Sequence, residues 1–351
     1  MITWDGGEPP SSVRFRTNPA LRLVPDPMVV EDDLDDRFGV AALGACHAAI
    51  DCNTALLLHT LSEPSPIPAF AASGLLKHRA AALRQLVLSH LVEVERPDGS
   101  FASGQPGAAL IGGAAASEVD ELAMRAVVFA AAIRHLPPEA LTAALYTYNT
   151  APVQRVWRST MGEDIQVRAF LRLDELRASV QQTDGWWYVH PQNAGRPADV
   201  ANKLYISPIT DSLPLVIDRA APLLAARAQQ WKVGRGLAGI VRPDKCVAYF
   251  GSPDALIDTA DELAAMLDGV PAQGVPFTAA LTPNRLLSWA IDPPETSWRH
   301  WVSETLAHSL AAAATGDGSP DDAALHALNV LETRGVDLST FSPSDTWKEL
   351  R

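Results

Sequence analysis

The chain is 351 residues long, 47% hydrophobic and 20% charged, which is ordinary globular composition with room for a core that needs no disulfides. Its formal net charge of −13 argues against general DNA or RNA binding, which needs a broad excess of cations, but leaves room for a small basic pocket. Cys46, Cys52 and Cys246 form no CxxC pair, so neither zinc spacing nor a disulfide framework is present.

Residues 1–37 are rich in Pro, Asp and Arg and read as an irregular arm. The acidic run Glu31 to Asp36 is a solvated face or a helix start. The opening MITWDGGEPPSSVRF has no apolar core of signal-peptide type. No run of about 18 apolar residues follows, so no membrane span is expected and a cytoplasmic location is. Apolar spacing is helical from Val40 to His59 and is broken by Pro64, Pro66 and Pro68. Leu75 to Val94 reads as an amphipathic helix with Leu76, Leu83, Val87 and Leu91 on one side. Lys77, His78, Arg79 and Arg84 lie on it, as a solvated face or a docking site for a leader peptide or a partner. Arg96 to Ala116 is a Gly-, Ala- and Ser-rich loop without the GK[ST] end of a P-loop. Glu118 to Leu136 is an Ala-rich helix, and Pro138 starts another that runs to Tyr148. Residues 1–150 thus read as a mainly helical region.

The character then changes. Asp164 to Gln182 looks helical, while Gly185 to His190 (GWWYVH) and Val200 to Ser207 (VANKLYIS) look like strands. A helix is expected over Leu213 to Gln229, then strands at Trp231 to Val233 and Cys246 to Phe250. Ala255 to Leu267 is a helix with Ser252 as cap and Pro253 and Asp254 in its first turn. Gly274 to Pro283 is extended, and Leu286 to Ile291 is a strand closed by Pro293 and Pro294. Two helices finish the chain, at about Ser297–Ala314 and Asp321–Thr333. Strands and helices do not alternate strictly enough for a doubly wound sheet. The expectation is an α+β fold: a helical N-terminal region, then a mixed, largely antiparallel sheet with flanking helices over 151–351.

Four cations crowd 14 residues of this acidic chain: Lys232, Arg235, Arg242 and Lys245. Such a cluster suits an anion, with phosphate the obvious candidate. Lys232 alternates with Trp231 and Val233, so it points away from them, towards either a site or solvent. Asp244 can pair with Arg242 or Lys245 as a surface salt bridge, and Arg235 lies in a Gly-flanked turn. Lys203 sits mid-strand, as a working charge or as an edge-strand lysine. Asp292 before Pro293 caps or fixes a loop, and Trp186, Trp187 and Trp289 read as core, although one can line a peptide groove.

Four features in order resemble the HopA-type effector-like family: a GW strand (Gly185, Trp186), a Lys-x-Tyr strand (Lys203, Tyr205), the series Lys232, Arg242, Asp244, Val247, Tyr249, and VPFTAALTPNRLLSWAIDPP at residues 275–294. The resemblance spans about 140–335. That family includes a type III secretion effector and lyase components of class V lanthipeptide and thioamitide biosynthesis. Where the family carries Ser-Phe-Gly and then Arg, this chain reads Ser297-Trp298-Arg299-His300, so the glycine is gone and the arginine is displaced.

The resemblance implies a phosphoserine/phosphothreonine lyase that acts on a phosphorylated precursor peptide beside a separate kinase-like protein. The chain itself has no HRD, DFG or VAIK-type motif. Elimination of phosphate needs a base for the Cα proton and cations for the leaving group; no metal or other cofactor is called for. Lys203 is the first candidate base, because clustered positive charge depresses a lysine pKa. Tyr205 shares its strand face and orients it, donates to phosphate or packs in the core, and His190 is a candidate general acid or a structural or solvated histidine before Pro191. Lys232, Arg235, Arg242 and Lys245 are the expected phosphate contacts. Two other readings stay open: a non-catalytic partner that presents the phosphopeptide to its kinase, and a host-directed effector.

Overall fold

Prolines, capping side chains and left-handed glycines set most of the element boundaries in the computed structural model, which describes residues 13–25, 37–43, 46–68, 71, 79–111, 119–154, 156–157, 178–191, 202–314 and 319–344. The chain divides into two compact units. One comprises residues 1–118, 313–336 and 345–351; the other comprises 119–312 and 337–344.

The first unit carries β1 (Phe15–Thr17), β2 (Arg22–Pro25), β3 (Arg37–Leu43), β4 (Cys46–Asp51), α1 (Cys52–Thr60), α2 (Arg79–Leu88), β5 (Val92–Glu95), β6 (Phe101–Ala102) and α3 (Gly104–Ala108), with the helix Pro320–Thr333. The strands form two antiparallel sheets, ordered β1-β5-β6 and β2-β3-β4. Phe15, Leu57, Leu58, Leu83, Val87, Val92 and Val94 are buried together. Four expectations are corrected here. The arm read as irregular over residues 1–37 holds β1 and β2, each paired in a sheet. Val40 to His59 is helical only from Cys52, where the Asp51 carboxylate accepts from the Thr54 amide; upstream, β3 pairs with β4. A short apolar run carries no decisive periodicity, and sheet partners outweigh alanine's helix propensity. The helix expected to reach Val94 stops at Leu88, because His90 takes φ +60° and β5 begins at Val92. The expected loop Arg96–Ala116 holds β6 and α3. Glu31 to Asp36, Lys77 and His78 lie outside the described residues.

The second unit carries α4 (Glu121–Ala132), α5 (Pro138–Tyr146), β7 (Ala178–Thr183), β8 (Trp186–Pro191), β9 (Asn202–Ile206), α6 (Leu213–Arg227), β10 (Gln230–Gly234), α7 (Gly236–Ile240), β11 (Cys246–Phe250), α8 (Pro253–Met266), β12 (Ala279–Ala280), β13 (Leu287–Ile291) and α9 (Trp298–Ala313). Its sheet has seven strands in the order β12-β13-β9-β11-β10-β8-β7, every neighbour antiparallel. This is the α+β fold expected. Of the helix expected over Asp164 to Gln182, residues 164–177 lie outside the described residues, and Ala178–Thr183 is a strand paired with β8. Asp184-Gly185, with Gly185 at φ +79°, is the two-residue hairpin turn between them.

Side-chain alternation gives this sheet two unlike faces. One face carries Trp187, Val189, Leu204, Ile206, Trp231, Val233, Cys246, Ala248 and Phe250. These pack with Val216, Ile217 and Leu224 of α6 and Leu256 and Leu263 of α8. Each large side chain so buried contributes about 1.5–3 kcal/mol. The opposite face carries Lys203, Tyr205, Tyr249, Lys232, Trp186, Tyr188 and His190, set by the register Lys203↔Tyr249, Lys232↔Tyr188 and Gly234↔Trp186. The hydrophobic face fixes the register, and the register aligns the polar set.

Candidate active site

Lys203 lies on β9, between β13 and β11, and not at an edge of the sheet. It faces Tyr249 on one side and Ala290 on the other and is 8% exposed. Its ammonium is ion-paired with the Asp292 carboxylate. The other oxygen of Asp292 accepts from the Trp298 amide at 2.9 Å, at the start of α9. One carboxylate therefore caps a helix and holds the lysine.

Lys232, two strands away, stands in an aromatic frame. Its Nζ lies 4.0 Å from the centre of the Trp186 ring, 5.4 Å from that of Tyr188 and 5.8 Å from that of Tyr249. Burial, reinforced by the positive charges of Lys203 and Arg242, lowers its pKa to about 8. The three rings attract the ammonium and oppose that shift, but desolvation prevails. Trp186 is thus a wall of this cluster and not part of the core, whereas Trp187 is 1% exposed and is core.

Arg242 completes the cluster. Its guanidinium lies 4.8 Å from the Trp186 ring centre and 5.8 Å from that of Tyr146, at the end of α5. It pairs bidentately with Asp244, Nε to Oδ1 at 2.8 Å and Nη2 to Oδ2 at 3.0 Å. Burial works against the Arg242 charge, but Asp244 outweighs it and holds the group above its ordinary value. Asp244 is itself buried, and its ionisation is opposed by that burial. Arg299, with Nη1 2.9 Å from Oδ2, and Arg242 together hold its carboxyl down to about 2.

Tyr205 shares the face with Lys203 and is 3% exposed. Burial, strengthened by the nearby Asp292 charge, pushes its phenol well above the ordinary range, so it stays protonated. Tyr249 and Tyr188 are raised by burial in the same way. His190 lies farther along β8, its ring stacked on Tyr188 with centroids 6.5 Å apart.

Two expected phosphate contacts point elsewhere. Arg235 leaves the strand beyond Gly234; its guanidinium lies 5.7 Å from the ring of Trp187, a core residue, and donates to the Thr183 carbonyl at 3.4 Å. Lys245 precedes β11 and is fully buried. It donates to the Pro208 carbonyl at 2.7 Å and to the Gln273 side chain. Burial lowers its pKa to about 7. It ties loops together at the opposite end of β11 from Tyr249. Sequence reasoning missed Tyr146 and the structural part of Arg299, since both join the site from helices distant in sequence. Among the described residues, no group of His, Cys, Asp and Glu has metal-ligand geometry.

The arrangement is a half-buried, cation-lined face with one lysine paired and one depressed, beside an arginine fixed by a carboxylate. It can hold a dianion and accept a proton.

No family model matches the chain, and no curated protein does. Among solved structures it is similar to the effector protein from Pseudomonas syringae pv. tomato strain DC3000, at 17% identity and a TM-score of 0.41, over 63% of this chain and 97% of that one. It is also similar to the effector protein from Pseudomonas syringae pv. syringae strain 61, at 16% identity and a TM-score of 0.38, over 64% and 98%. A further similarity is to the VirA (SpvC) phosphothreonine lyase effector of Chromobacterium violaceum, at 14% identity and a TM-score of 0.29. That match covers 33% of this chain and 66% of the other, so the chain spans about two thirds of its length. No helix among the described residues is long and apolar enough to cross a membrane.

Proposed function

We propose that the chain is a lyase that eliminates phosphate from phosphoserine or phosphothreonine in a ribosomally made precursor peptide. The products are dehydroalanine or dehydrobutyrine and inorganic phosphate. The observation that carries this reading is the pairing of Lys203 and Lys232 on one sheet face, the first bound to Asp292 and the second with a pKa lowered to about 8.

The two lysines have different fates. Lys203 is ion-paired with the Asp292 carboxylate and serves as a fixed charge for the phosphate. Among the described residues no carboxylate forms an ion pair with Lys232, and burial makes it release its proton more readily. With a pKa of about 8, roughly a tenth of it is neutral at pH 7, against well under a thousandth for an ordinary lysine. We therefore assign Lys232, in place of Lys203, as the base. Neutral Lys232 Nζ takes the Cα proton, the Cα–H electron pair becomes the Cα=Cβ bond, and the Cβ–O bond breaks. The electron pair of that bond leaves on the phosphate oxygen. Lys203 and Arg242 balance the growing charge, and protonated Tyr205 donates towards the leaving oxygen. His190 and Tyr188 line the same face and seat the peptide.

The order of events requires a phosphorylated substrate, which a separate kinase-like protein must supply. The four-part motif similarity to lanthipeptide lyase components supports a precursor peptide as that substrate.

Mass spectrometry of a phosphothreonine peptide incubated with the purified chain tests this. Loss of the mass of phosphoric acid supports the lyase. A peptide that binds but is returned intact, with and without a kinase-like partner, removes the lyase reading and leaves a phosphopeptide-presenting protein.

A further inference from the structure

Arg299 lies in the first turn of α9, and its side chain is 1% exposed. Every nitrogen of its guanidinium is directed at the protein. Nε donates to the Pro276 carbonyl at 3.2 Å, Nη2 donates to the Tyr146 carbonyl at 2.7 Å, and Nη1 lies 2.9 Å from Asp244 Oδ2. The Tyr146 ring covers it, with the guanidinium carbon 4.6 Å from the ring centre. A guanidinium enclosed in this way has no edge left for a substrate phosphate.

Asp244 is the hinge of the arrangement. Its Oδ2 is shared by Arg299 and Arg242, while Oδ1 takes only the Arg242 Nε among the described contacts. Arg242 stands in the turn between α7 and β11, ahead of Pro243, with 31% of its side chain exposed. A side chain in a turn keeps rotamer freedom unless something outside the turn holds it. The carboxylate alone cannot do this, because it belongs to the same turn. Arg299 supplies the external anchor, from α9 and from the chain segments at Tyr146 and Pro276. Its planar fork donates to two carbonyls while Nη1 stays at ion-pair distance from Asp244, which a lysine cannot do.

We propose that Arg299 is a positioning residue: through Asp244 it fixes the Arg242 guanidinium in the orientation that receives the substrate phosphate, without touching the phosphate itself. This rests on the reading of the face as a phosphopeptide site, and it places a constraint on that site from an element that contributes no ligand.

The test compares wild type with R299K, D244N, R242K and the double variant R299K/R242K, using one phosphothreonine peptide. Steady-state elimination gives KM and kcat separately, and titration calorimetry gives Kd for the same peptide. Circular dichroism gives the folded fraction. Loss of a charged hydrogen-bond anchor is expected to raise KM and Kd by about ten- to a hundredfold in R299K. D244N is expected to show the same rise. The double variant should bind no more weakly than R242K alone, since both act on one contact. A merely structural Arg299 would lower the folded fraction and the apparent kcat together, with KM and Kd unchanged, and that result overturns the proposal. Additive effects of R299K and R242K overturn it too, since they mean that Arg299 meets the phosphate independently. If wild type binds the peptide without eliminating phosphate, the lyase reading falls, while the Kd comparison still decides the role of Arg299. If wild type does not bind it, both fall.

Discussion

Lys203 is ion-paired with Asp292, and the same carboxylate caps α9 through the Trp298 amide at 2.9 Å. The Lys203 charge, two strands from Lys232, is the largest influence on it after burial itself, and Asp292 acts on Lys232 in the opposite sense. Replacing Lys203 with Met removes a charge that lowers the Lys232 pKa and leaves the Asp292 carboxylate, which raises it, without the lysine's charge against it. Both changes have the same sign. The limb on which kcat/KM for elimination rises with pH should therefore move to higher pH in K203M, with a lower plateau from the lost phosphate contact. A pH profile that keeps the wild-type limb would remove Lys203 from the electrostatics of the base. In D292N the cap survives, because asparagine caps as well as aspartate, so any fall in Tm there belongs to the ion pair.

Lys232 itself gives a second pH prediction. Elimination by neutral Lys232 should rise with pH to a limb near about 8, and K232R should abolish it while retaining peptide binding. Stability moves with the same group. The folded chain binds this proton more weakly than the unfolded chain, whose lysine titrates near 10.5, so stability rises as pH climbs from about 8 towards 10.5. Below about 8 the penalty for burying the ammonium is fully present. K232M should accordingly be more stable than wild type at pH 7, by on the order of 2 kcal/mol, and inactive. Denaturant titration at pH 7 checks it; a destabilised K232M would show that the aromatic frame outweighs desolvation.

The sheet of this site was legible in the sequence because its strands are short, aromatic or β-branched, and bounded by Gly, Pro and capping residues. GWWYVH, KLYI, WKV and CVAYF all fall on β8 to β11. Alternation also placed Lys232 opposite Trp231, and Tyr205 beside Lys203, on one face. What alternation does not carry is the order of strands. Lys203 reads equally as an edge lysine until β13 and β11 are known to flank it. Arg235 and Lys245 flank strands and do not lie in them, so period two assigns them no face. Tyr146 and Arg299 meet Arg242 and Asp244 across long stretches of chain, and no local pattern encodes such a meeting. In the first unit, alanine-rich spacing imitated a helix over residues 40–51, where sheet pairing prevails.

Lys245 should behave unlike the cations of the site. K245M removes the donor to the Pro208 carbonyl and to the Gln273 side chain and leaves both acceptors buried. The lost contacts cost stability, while removal of the buried ammonium relieves the same kind of penalty that K232M relieves, so K245M should lose more stability at pH 9, where the folded lysine is neutral, than at pH 7. KM for the phosphopeptide should stay at the wild-type value, because the lysine belongs to the loops at the opposite end of β11. Denaturation and steady-state kinetics together check this. A rise in KM without loss of stability would return Lys245 to the phosphate contacts.

The turn that joins the two halves of the site depends on two glycines. A Cβ on Gly239 would lie 2.5 Å from the Gly234 carbonyl carbon and 2.8 Å from its Cα, with backbone on both sides. Neither atom can move without displacing β10, whose Lys232 is two residues from Gly234, or α7, which leads to Arg242. G239A should therefore cost about 3 kcal/mol, at the upper end for overpacking. It should also raise KM, since Lys232 and Arg242 are carried by the two sides of this close approach. Gly236 is the internal control. Its φ is +64° and nothing lies within 4 Å of a Cβ there, so G236A meets backbone strain alone, about 1 kcal/mol. Equal destabilisation by the two substitutions, with KM unchanged in both, would show that the Gly234–Gly239 contact does not set the geometry of the site.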